Sequence, residues 1–583
     1  MASSRLSPDL STSDDDQPPS YSNCYNDHED EGKAQSVLFD AASSTRRGCV
    51  GAVSLAFLLA LLCLIPGIYI SSTQPRVALL LPLSTKAHEI LSLAINVVLT
   101  FCIDGVMFVH SVSLRWALYR EGRLEYNTNI RLFTSAKQRG PNKWYSNLAA
   151  VIFLVLSYGA SSVLFLEDQV DDYKDASPAE LASGSTARQA ARTNYISGPS
   201  LIVLGLALAG QTAISAWCLL SDPKAIPSWS SNPLNNALAA IHHGSIQHRP
   251  GRCMLSVHQR KQPSGQDVFP TEKQGNILQT QRIVQYILVL LWALAALAFA
   301  WSIAILVIAL NMGTVYAAEK WIHGGLGWIP PDWCGRSLSF SWKPTFINCV
   351  RNVVPMMMSP HNNTHSSGWA EFSPFGEALI CIIFVSALQG GQTIGLHCAE
   401  LLVNVSRDET SWRQASIATD RNGSGTRLTV HPLLAVLSSW EAIVLFLAKA
   451  VLHWTMGQAV LASISHGEGP PDGHEWRPIG IQLEMIYPRL FVYALLAMAL
   501  AAFATYLALR RPRGYQPATM GHLQTIADLV DDWRTDDQGR MWWGDKTRCV
   551  GADDDDEDVP LRHAGTSRYK EMVDPIVPDG RYS

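Results

Sequence analysis

Eight long apolar stretches divide this 583-residue chain. A hydrocarbon core about 30 Å thick is crossed by roughly 20 helical residues, at about 1.5 Å of rise per residue. The stretches are long enough for this, which excludes a soluble fold, and they predict an all-α, polytopic membrane helix bundle with disordered cytoplasmic tails. The eight transmembrane helices are predicted at about 49–71, 88–112, 147–166, 199–220, 283–311, 376–402, 433–457 and 488–509.

The distribution of basic residues predicts the orientation of these helices. Lys and Arg are about twice as frequent in one set of alternate connections as in the other, which places both termini in the cytoplasm. Residues 1–48 form a polar tail, and 510–583 form a second tail with an amphipathic helix at 522–533. The net charge of −5 comes mainly from these acidic tails, so it does not indicate nucleic acid as a partner. The plasma membrane and an endomembrane such as the vacuole are both compatible with this pattern.

The longest outer connection, 312–375, contains two features expected of an oxidising, extracytoplasmic compartment. Cys334 and Cys349 are the only cysteines in predicted outer connections, and they share this one, so we expect a disulfide. Asn362 begins the only glycosylation sequon on the outer side. The alternatives are two free thiols and an unmodified asparagine.

Ionisable residues within the spans are costly, so Asp104, Glu441 and Lys449 need an explanation. Counting about 1.5 Å per residue places Asp104 and Glu441 about 12 Å from the cytoplasmic boundary. The same count places three further polar residues at about 14 Å. These are Gln211, Gln392 and Thr393. We therefore predict a polar layer in the inner half of the bundle, with Lys449 further out, near Asn96 and Ser386.

Two helices carry polar stripes at helical spacing. The stripe of the second span consists of Ser92, Asn96, Thr100 and Asp104, and that of the sixth consists of Ser386, Gln389, Thr393, His397 and Glu400. Turned inward, these stripes can line a hydrated path for a solute or ion. The competing interpretation is hydrogen bonding between helices, assisted by small residues such as Gly390, Gly391 and Gly395.

Enzyme and metal chemistry have weaker support in the sequence. His397 and Glu400 lie three residues apart on one helix face, but no second pair supplies the remaining ligands that a metal centre needs. Phosphate-binding glycine loops and nucleophile elbows are not found. We expect neither a cofactor nor a metal, and no catalytic residue is assigned.

The amino-terminal tail contains a candidate partner motif. Pro18, Pro19 and Tyr21 form a PPxY sequence in a Ser- and Asp-rich segment. Such motifs are ligands of WW domains, which bind a preformed polyproline II turn. The motif is similar to the docking sites of WW-domain ubiquitin ligases, with Lys33 as a nearby acceptor.

Several runs on the predicted cytoplasmic side resemble a group of fungal multipass membrane proteins of uncharacterised activity. They are SLRWALYREGRLEYNTNIRLFTSAKQRGPNKWYSN from Ser113, WSSNPLNNALA from Trp229, GGQTIGLHCAELLVNVSRDE from Gly390, HLQTIADLVDDW from His522 and MWWGDK from Met541. The resemblance implies a fungal source and an eight-span fold, and it implies no activity or site residues.

Two functions are compatible with these observations. One is a solute or ion transporter whose path uses the intramembrane carboxylates and the two stripes. The other is a non-transporting scaffold or sorting adaptor, which recruits a ubiquitin ligase through PPxY and uses its buried polar groups only for helix packing.

Overall fold

Eight membrane helices form the body of the protein in a computed structural model, and they confirm the predicted helical membrane fold. The model describes residues 39–74, 76–168, 193–221, 225–263, 267–322, 346–347, 350–351, 353–357, 373–417, 424–429, 439–467, 477–550 and 561–583. The helices are α1 (Ser43–Thr73), α2 (Thr85–Arg120), α3 (Trp144–Ser162), α4 (Gly198–Leu220), α5 (Arg282–Ile322), α6 (Pro374–Arg413), α7 (Trp440–Ala459) and α8 (Tyr487–Leu509). Because α5 continues to Ile322, residues 312–322 are helical and not part of the outer connection to which the sequence assigned them.

Three helices occupy the centre of the bundle. In α3, α6 and α7, half of the residues in the most apolar 18-residue stretch are buried inside the protein. The corresponding fractions are 22% in α1 and 28% in α5. The helix α3 packs against α4, α6 and α7, while α2 packs against α1, α4 and α7. The outer helices α1 and α5 pack mainly against α4 and α8, respectively. The two helices with polar stripes, α2 and α6, therefore both contact α7.

Small residues allow close approach between the central helices. A Cβ atom on Gly159 of α3 would lie 1.9 Å from the Ser386 hydroxyl of α6, so only glycine fits there. Gly391 and Gly395 of α6 face Leu294 of α5, where added Cβ atoms would lie 3.0 and 2.8 Å from its side chain. The helix α6 therefore carries both a polar stripe and small residues that allow close helix packing.

The connections at one end of the bundle form a six-stranded sheet. Its strands are β1 (Ala78–Leu81), β2 (Phe165–Asp168), β3 (Thr193–Ser197), β6 (Val353–Met357), β8 (Val460–Gly467) and β9 (Arg477–Ile486), in the order β1-β3-β2-β8-β9-β6. The strands β2 and β8 are parallel, with Glu167 opposite Ser463, and the other pairs are antiparallel. A separate hairpin pairs β4 (Phe346–Ile347) with β5 (Val350–Arg351). The sequence did not predict this sheet, because each connection supplies only one or two short strands.

The other end of the bundle carries a folded unit, which we call the cap. It consists of the described parts of the connections 121–143, 225–281 and 414–429 and of the carboxyl-terminal segment 510–583. A three-stranded sheet in the cap has the order β11 (Ala564–Ser567), β10 (Arg540–Asp545), β7 (Thr426–Arg427). Short α-helices span Pro233–His242, Ile277–Thr280, Leu523–Leu529 and Thr547–Val550, and 3-10 turns span Gly140–Asn142, Val257–Gln259 and Lys570–Met572.

The cap corrects the expectation of a disordered carboxyl-terminal tail. Six of the seven residues of the helix Leu523–Leu529 are buried, and it packs against the helix Pro233–His242, so it belongs to the core of the cap. Beyond it, Trp543 is buried against Trp412, with ring centroids 6.2 Å apart. Sequence periodicity missed this core because its buried apolar residues come from three distant stretches of the chain, within 234–254, 412–428 and 523–582.

The carboxyl end of α6 connects the cap to the bundle. With 40 residues α6 is about 60 Å long, twice what a bilayer core requires, so its last turns lie in the cap. Asp408 accepts a hydrogen bond from the Asn127 amide at 2.9 Å. Glu409 accepts hydrogen bonds from the backbone N–H groups of Thr519 at 2.9 Å and Met520 at 2.8 Å. Two consecutive carboxylates therefore connect two cap segments to one membrane helix.

We expect Gly521→Ala to destabilise the protein by about 3 kcal/mol, as the sum of left-handed strain and disruption of the Asp408 hydrogen bonds. Gly521 has a φ of +72°, and a Cβ atom there would lie 2.8 Å from the Asp408 carboxylate. Gly122→Ala is the matched control, because Gly122 has a φ of +63° but open space around it. Thermal unfolding in detergent measures both variants, and equal losses of stability would contradict the proposed contact.

Several sequence predictions lie outside the described residues. These are the disulfide of Cys334 and Cys349, the glycosylation site Asn362 and the WW ligand Pro18, Pro19 and Tyr21.

Candidate functional site

Four ionisable side chains from three helices meet inside the bundle, and we call them the central cluster. They are Asp104 of α2, His397 and Glu400 of α6, and Lys449 of α7. The Lys449 ammonium donates hydrogen bonds to Asp104 Oδ1 at 2.7 Å and to Glu400 Oε1. The same Glu400 oxygen lies 2.8 Å from His397 Nδ1. Lys449 of α7 therefore links a carboxylate of α2 to a carboxylate of α6.

The members of the central cluster differ in exposure. The side chains of Lys449 and His397 are 3% and 0% exposed, whereas those of Asp104 and Glu400 are 30% and 24% exposed. The carboxylates thus lie at the accessible edge of the cluster and the lysine lies behind them.

The structure corrects the predicted depth of Lys449. The sequence assigned it to the outer third of the membrane near Asn96 and Ser386, because α7 was assumed to begin at residue 433. The described helix begins at Trp440, and nine residues of rise place Lys449 about 14 Å along it. The helix α2 also differs from its predicted span, because it continues to Arg120 and not to residue 112. The hydrogen bond of 2.7 Å from Lys449 Nζ to Asp104 Oδ1 shows that the ammonium and the carboxylate lie at the same level.

Because α7 begins at Trp440, Glu441 lies at the end of this helix and not in the predicted polar layer. Glu441 lies in the first turn of α7, beside the cap, where Oε1 is 3.1 Å from the Arg510 guanidinium. Its carboxylate also accepts hydrogen bonds from the hydroxyls of Ser439 at 3.1 Å and Ser406 at 3.5 Å. Glu441 and Asp104 are therefore not brought together.

Two aromatic side chains that the sequence analysis did not select adjoin the central cluster. His453 lies one turn after Lys449 on α7, and its ring stacks on Tyr158 of α3 with 3.5 Å between centroids. The Tyr158 hydroxyl donates a hydrogen bond to Thr100 Oγ1 at 3.4 Å. The four-residue spacing of Lys449 and His453 could have indicated this face of α7, but nothing in the sequence of α3 indicated Tyr158.

Polar side chains continue from the central cluster toward the sheet side. Along α2, Thr100 and Asn96 are buried in the bundle, as predicted for an inward-facing stripe. Gln389 of α6 donates a hydrogen bond to Ser162 Oγ at 2.6 Å, and Gln211 of α4 donates one to Ser157 Oγ at 2.9 Å. Thr393 instead satisfies its own helix, with its hydroxyl donating to the Gln389 carbonyl.

Many buried polar atoms along this route have no hydrogen-bond partner among the described protein atoms. They are Asn96 Oδ1, Gln211 Oε1, Ser386 Oγ, Gln389 Oε1, both amide atoms of Gln392, His397 Nε2 and both ring nitrogens of His453. An unsatisfied buried polar atom costs about 1–3 kcal/mol, so most such atoms in proteins bind water or a ligand. These atoms are therefore hydrogen-bonding groups that the described protein atoms leave unused.

A second buried ionic group, the sheet-side cluster, lies beneath the six-stranded sheet. Arg489 of α8 donates a hydrogen bond to the Gln458 carbonyl at 2.8 Å and lies 3.9 Å from Glu89. His88 lies 3.8 Å from Glu167 on β2. His88 and Asp104 are 16 residues apart on α2, so the two clusters are separated by about 24 Å along this helix. The sequence analysis did not select any member of this second cluster.

Three members of the central cluster also have the geometry of a metal site. One ligand atom each from Asp104, His397 and Glu400 lies within 4.8 Å of the others. The sequence argument against a metal considered α6 alone and missed the carboxylate contributed by α2. The Lys449 ammonium contacts both carboxylates, so the cation that these residues bind in this arrangement is the protein's own.

The charge of the central cluster is balanced with help from the cap. Two carboxylates and one ammonium would leave one negative charge within the bundle. Arg131, from the connection after α2, interacts electrostatically with Glu400 and donates a hydrogen bond to the Met107 carbonyl at 3.0 Å. The formal charges of Asp104, Glu400, Lys449 and Arg131 sum to zero.

We expect Lys449→Met to lower the free energy of unfolding by about 3–5 kcal/mol, because it leaves two carboxylates within the bundle without their common partner. The double variant Asp104→Asn, Lys449→Met removes a charge pair together and should recover at least half of this loss. Thermal unfolding in detergent measures both. A double variant no more stable than Lys449→Met would contradict the coupling.

Comparison with known proteins does not identify a family for this chain. No protein-family model, no curated protein and no solved structure matches it. The assignment of function therefore depends on the geometry of the two clusters and of the polar route between them.

Proposed function

We propose that this integral membrane protein is a transporter whose cycle is coupled to protonation of the central cluster. The observation that carries the proposal is the contact of one buried lysine with carboxylates from two other helices. Protonating either carboxylate would remove its negative charge and weaken its attraction to Lys449. Because Asp104, Glu400 and Lys449 belong to three different helices, such a change would alter the preferred packing of α2, α6 and α7.

The arrangement also suits proton exchange. His397 shares an oxygen of Glu400 with Lys449, so a proton can move between imidazole and carboxylate without a large displacement. His453 lies one turn further along α7, and neither of its ring nitrogens has a hydrogen-bond partner among the residues that the structure describes. These groups form a set of proton acceptors around one ammonium, and similar intramembrane chains of carboxylates and histidines act as proton relays.

The polar side chains between the central cluster and the six-stranded sheet support a transport path across the bundle. Its buried amide, hydroxyl and imidazole groups have unused hydrogen-bonding atoms on α2, α4, α6 and α7. Groups that only held the helices together would be expected to satisfy one another, as Gln211 and Ser157 partly do. The sheet-side cluster provides a second set of titratable groups at the far end of this route.

Proton exchange at the carboxylates can be tested in proteoliposomes that contain a trapped pH indicator. Under an imposed proton gradient and membrane potential, we expect wild-type protein to carry protons at least tenfold faster than Asp104→Asn or Glu400→Gln. Glu571→Gln is the matched control, because Glu571 is an exposed cap residue and undergoes the same change from carboxylate to amide. In parallel, dicyclohexylcarbodiimide should modify Glu400 or Asp104 at low pH, as found by mass spectrometry.

Two results together would overturn the proposal. The first is that the carbodiimide modifies neither Asp104 nor Glu400 at any pH. The second is that vesicles with wild-type protein carry no more proton current than vesicles with the double variant Asp104→Asn, Glu400→Gln. Variants that change only the amount of folded protein would favour the alternative function, a scaffold or sorting adaptor. In that case, the PPxY sequence at Pro18, Pro19 and Tyr21 would be the functional element, with a WW-domain ubiquitin ligase as partner.

A further inference from the structure

A basic cavity lies where α8 leaves the bundle and meets the cap. It has a volume of about 930 Å³ and is bounded by the end of α8, the last turns of α6 and the connection that precedes α5. The basic residues of its lining are Lys273, Arg413, Arg510, Arg511 and Arg513. These residues come from three separate parts of the chain, and the cap brings them together.

The positive charges of the cavity exceed the negative ones. Five basic residues line it, against the acidic residues Glu272 and Glu409. The Glu409 carboxylate is already used, since it accepts hydrogen bonds from two backbone N–H groups and from Arg413 Nε at 3.0 Å. Arg510 is paired with Glu441, which lies outside the lining. Of the carboxylates in the lining, only Glu272 therefore remains to offset Lys273, Arg511 and Arg513. Basic residues at the ends of membrane helices are common for topological reasons, but this does not require them to converge on one cavity.

Three of the basic side chains are available to a ligand. Lys273, Arg511 and Arg513 are exposed and make no ion pair with any residue that the structure describes. Lys273 and Arg513 are held next to each other by an antiparallel backbone bridge. Arg413 donates hydrogen bonds from Nε to Glu409 and from Nη1 to the Arg513 carbonyl. Its Nη2 is buried and has no hydrogen-bond partner within the described part of the chain. This arrangement provides several donors for phosphate oxygens.

The rim of the cavity is continuous with the lipid-facing surface of α8. Tyr506 lines the cavity and is 54% exposed, and Leu509 in the same last turn is 51% exposed. An apolar helix surface of this kind contacts acyl chains, and tyrosine favours the headgroup level. The basic lining and the apolar rim together match a molecule with an anionic head and hydrocarbon chains.

We propose that this cavity binds the headgroup of an anionic phospholipid, with its phosphate at Lys273, Arg511 and Arg513 and its acyl chains along the end of α8. The lipid would contact α8, α6 and the cap at once. It would therefore stabilise the attachment of the cap to the bundle. This inference does not depend on the proposed transport activity.

Lipid retention by the purified full-length protein tests the proposal. Protein is incubated with mixed micelles containing phosphatidylglycerol, phosphatidylinositol phosphate or phosphatidylcholine, and bound lipid is counted by native mass spectrometry. We expect an anionic lipid to be retained at least tenfold more strongly than phosphatidylcholine and to raise the unfolding temperature. The double variant Arg511→Gln, Arg513→Gln should lose both effects.

The matched control is the double variant Arg427→Gln, Lys570→Gln, which removes the same charge from cap residues outside the cavity and should retain the lipid. Equal loss in the control, or equal retention of phosphatidylcholine, would overturn the proposal. Full displacement of the lipid by millimolar inorganic phosphate would also overturn it, because the site would then be one for a soluble anion. Size-exclusion profiles verify that all variants remain folded.

Discussion

The contact of the Lys449 ammonium with Asp104 and Glu400 constrains how the centre of the bundle can pack. A charge buried among apolar helices is tolerated only with a partner, and here the partners come from α2 and α6. The three helices must therefore hold a common register at this level. Close approach of α3 to α6 at Gly159 and Ser386 then places Tyr158 and His453 against the same region.

Each end of the bundle is closed by a different kind of structure. On one side, four connections supply single strands and hairpins to one sheet, which covers the buried pairs of His88 with Glu167 and of Arg489 with Glu89. On the other side, α6 extends into the cap and holds it through Asp408 and Glu409. One continuous helix therefore carries both Glu400 of the central cluster and the contacts with the cap.

Interactions between distant residues were difficult to predict from helical spacing. The stripe Asn96, Thr100 and Asp104 followed directly from a four-residue repeat on one helix. The partner of Lys449 did not, because depth counting depends on where α7 begins and where α2 ends. An error of seven or eight residues moves a side chain by about 10–12 Å. Glu400 was recognised as part of a stripe, yet its pairing with a lysine 49 positions away depends on the packing of α6 against α7.

The sequence alone determined the class of the protein, since eight apolar segments of sufficient length must cross a bilayer whatever their packing. It also determined which faces of α2 and α6 carry polar groups, because that depends only on local periodicity. The tertiary structure decided which charges meet, where the cap and the six-stranded sheet form, and that Glu441 belongs to the boundary with the cap. These features depend on helix register and on pairing between segments hundreds of residues apart, and no local pattern encodes either.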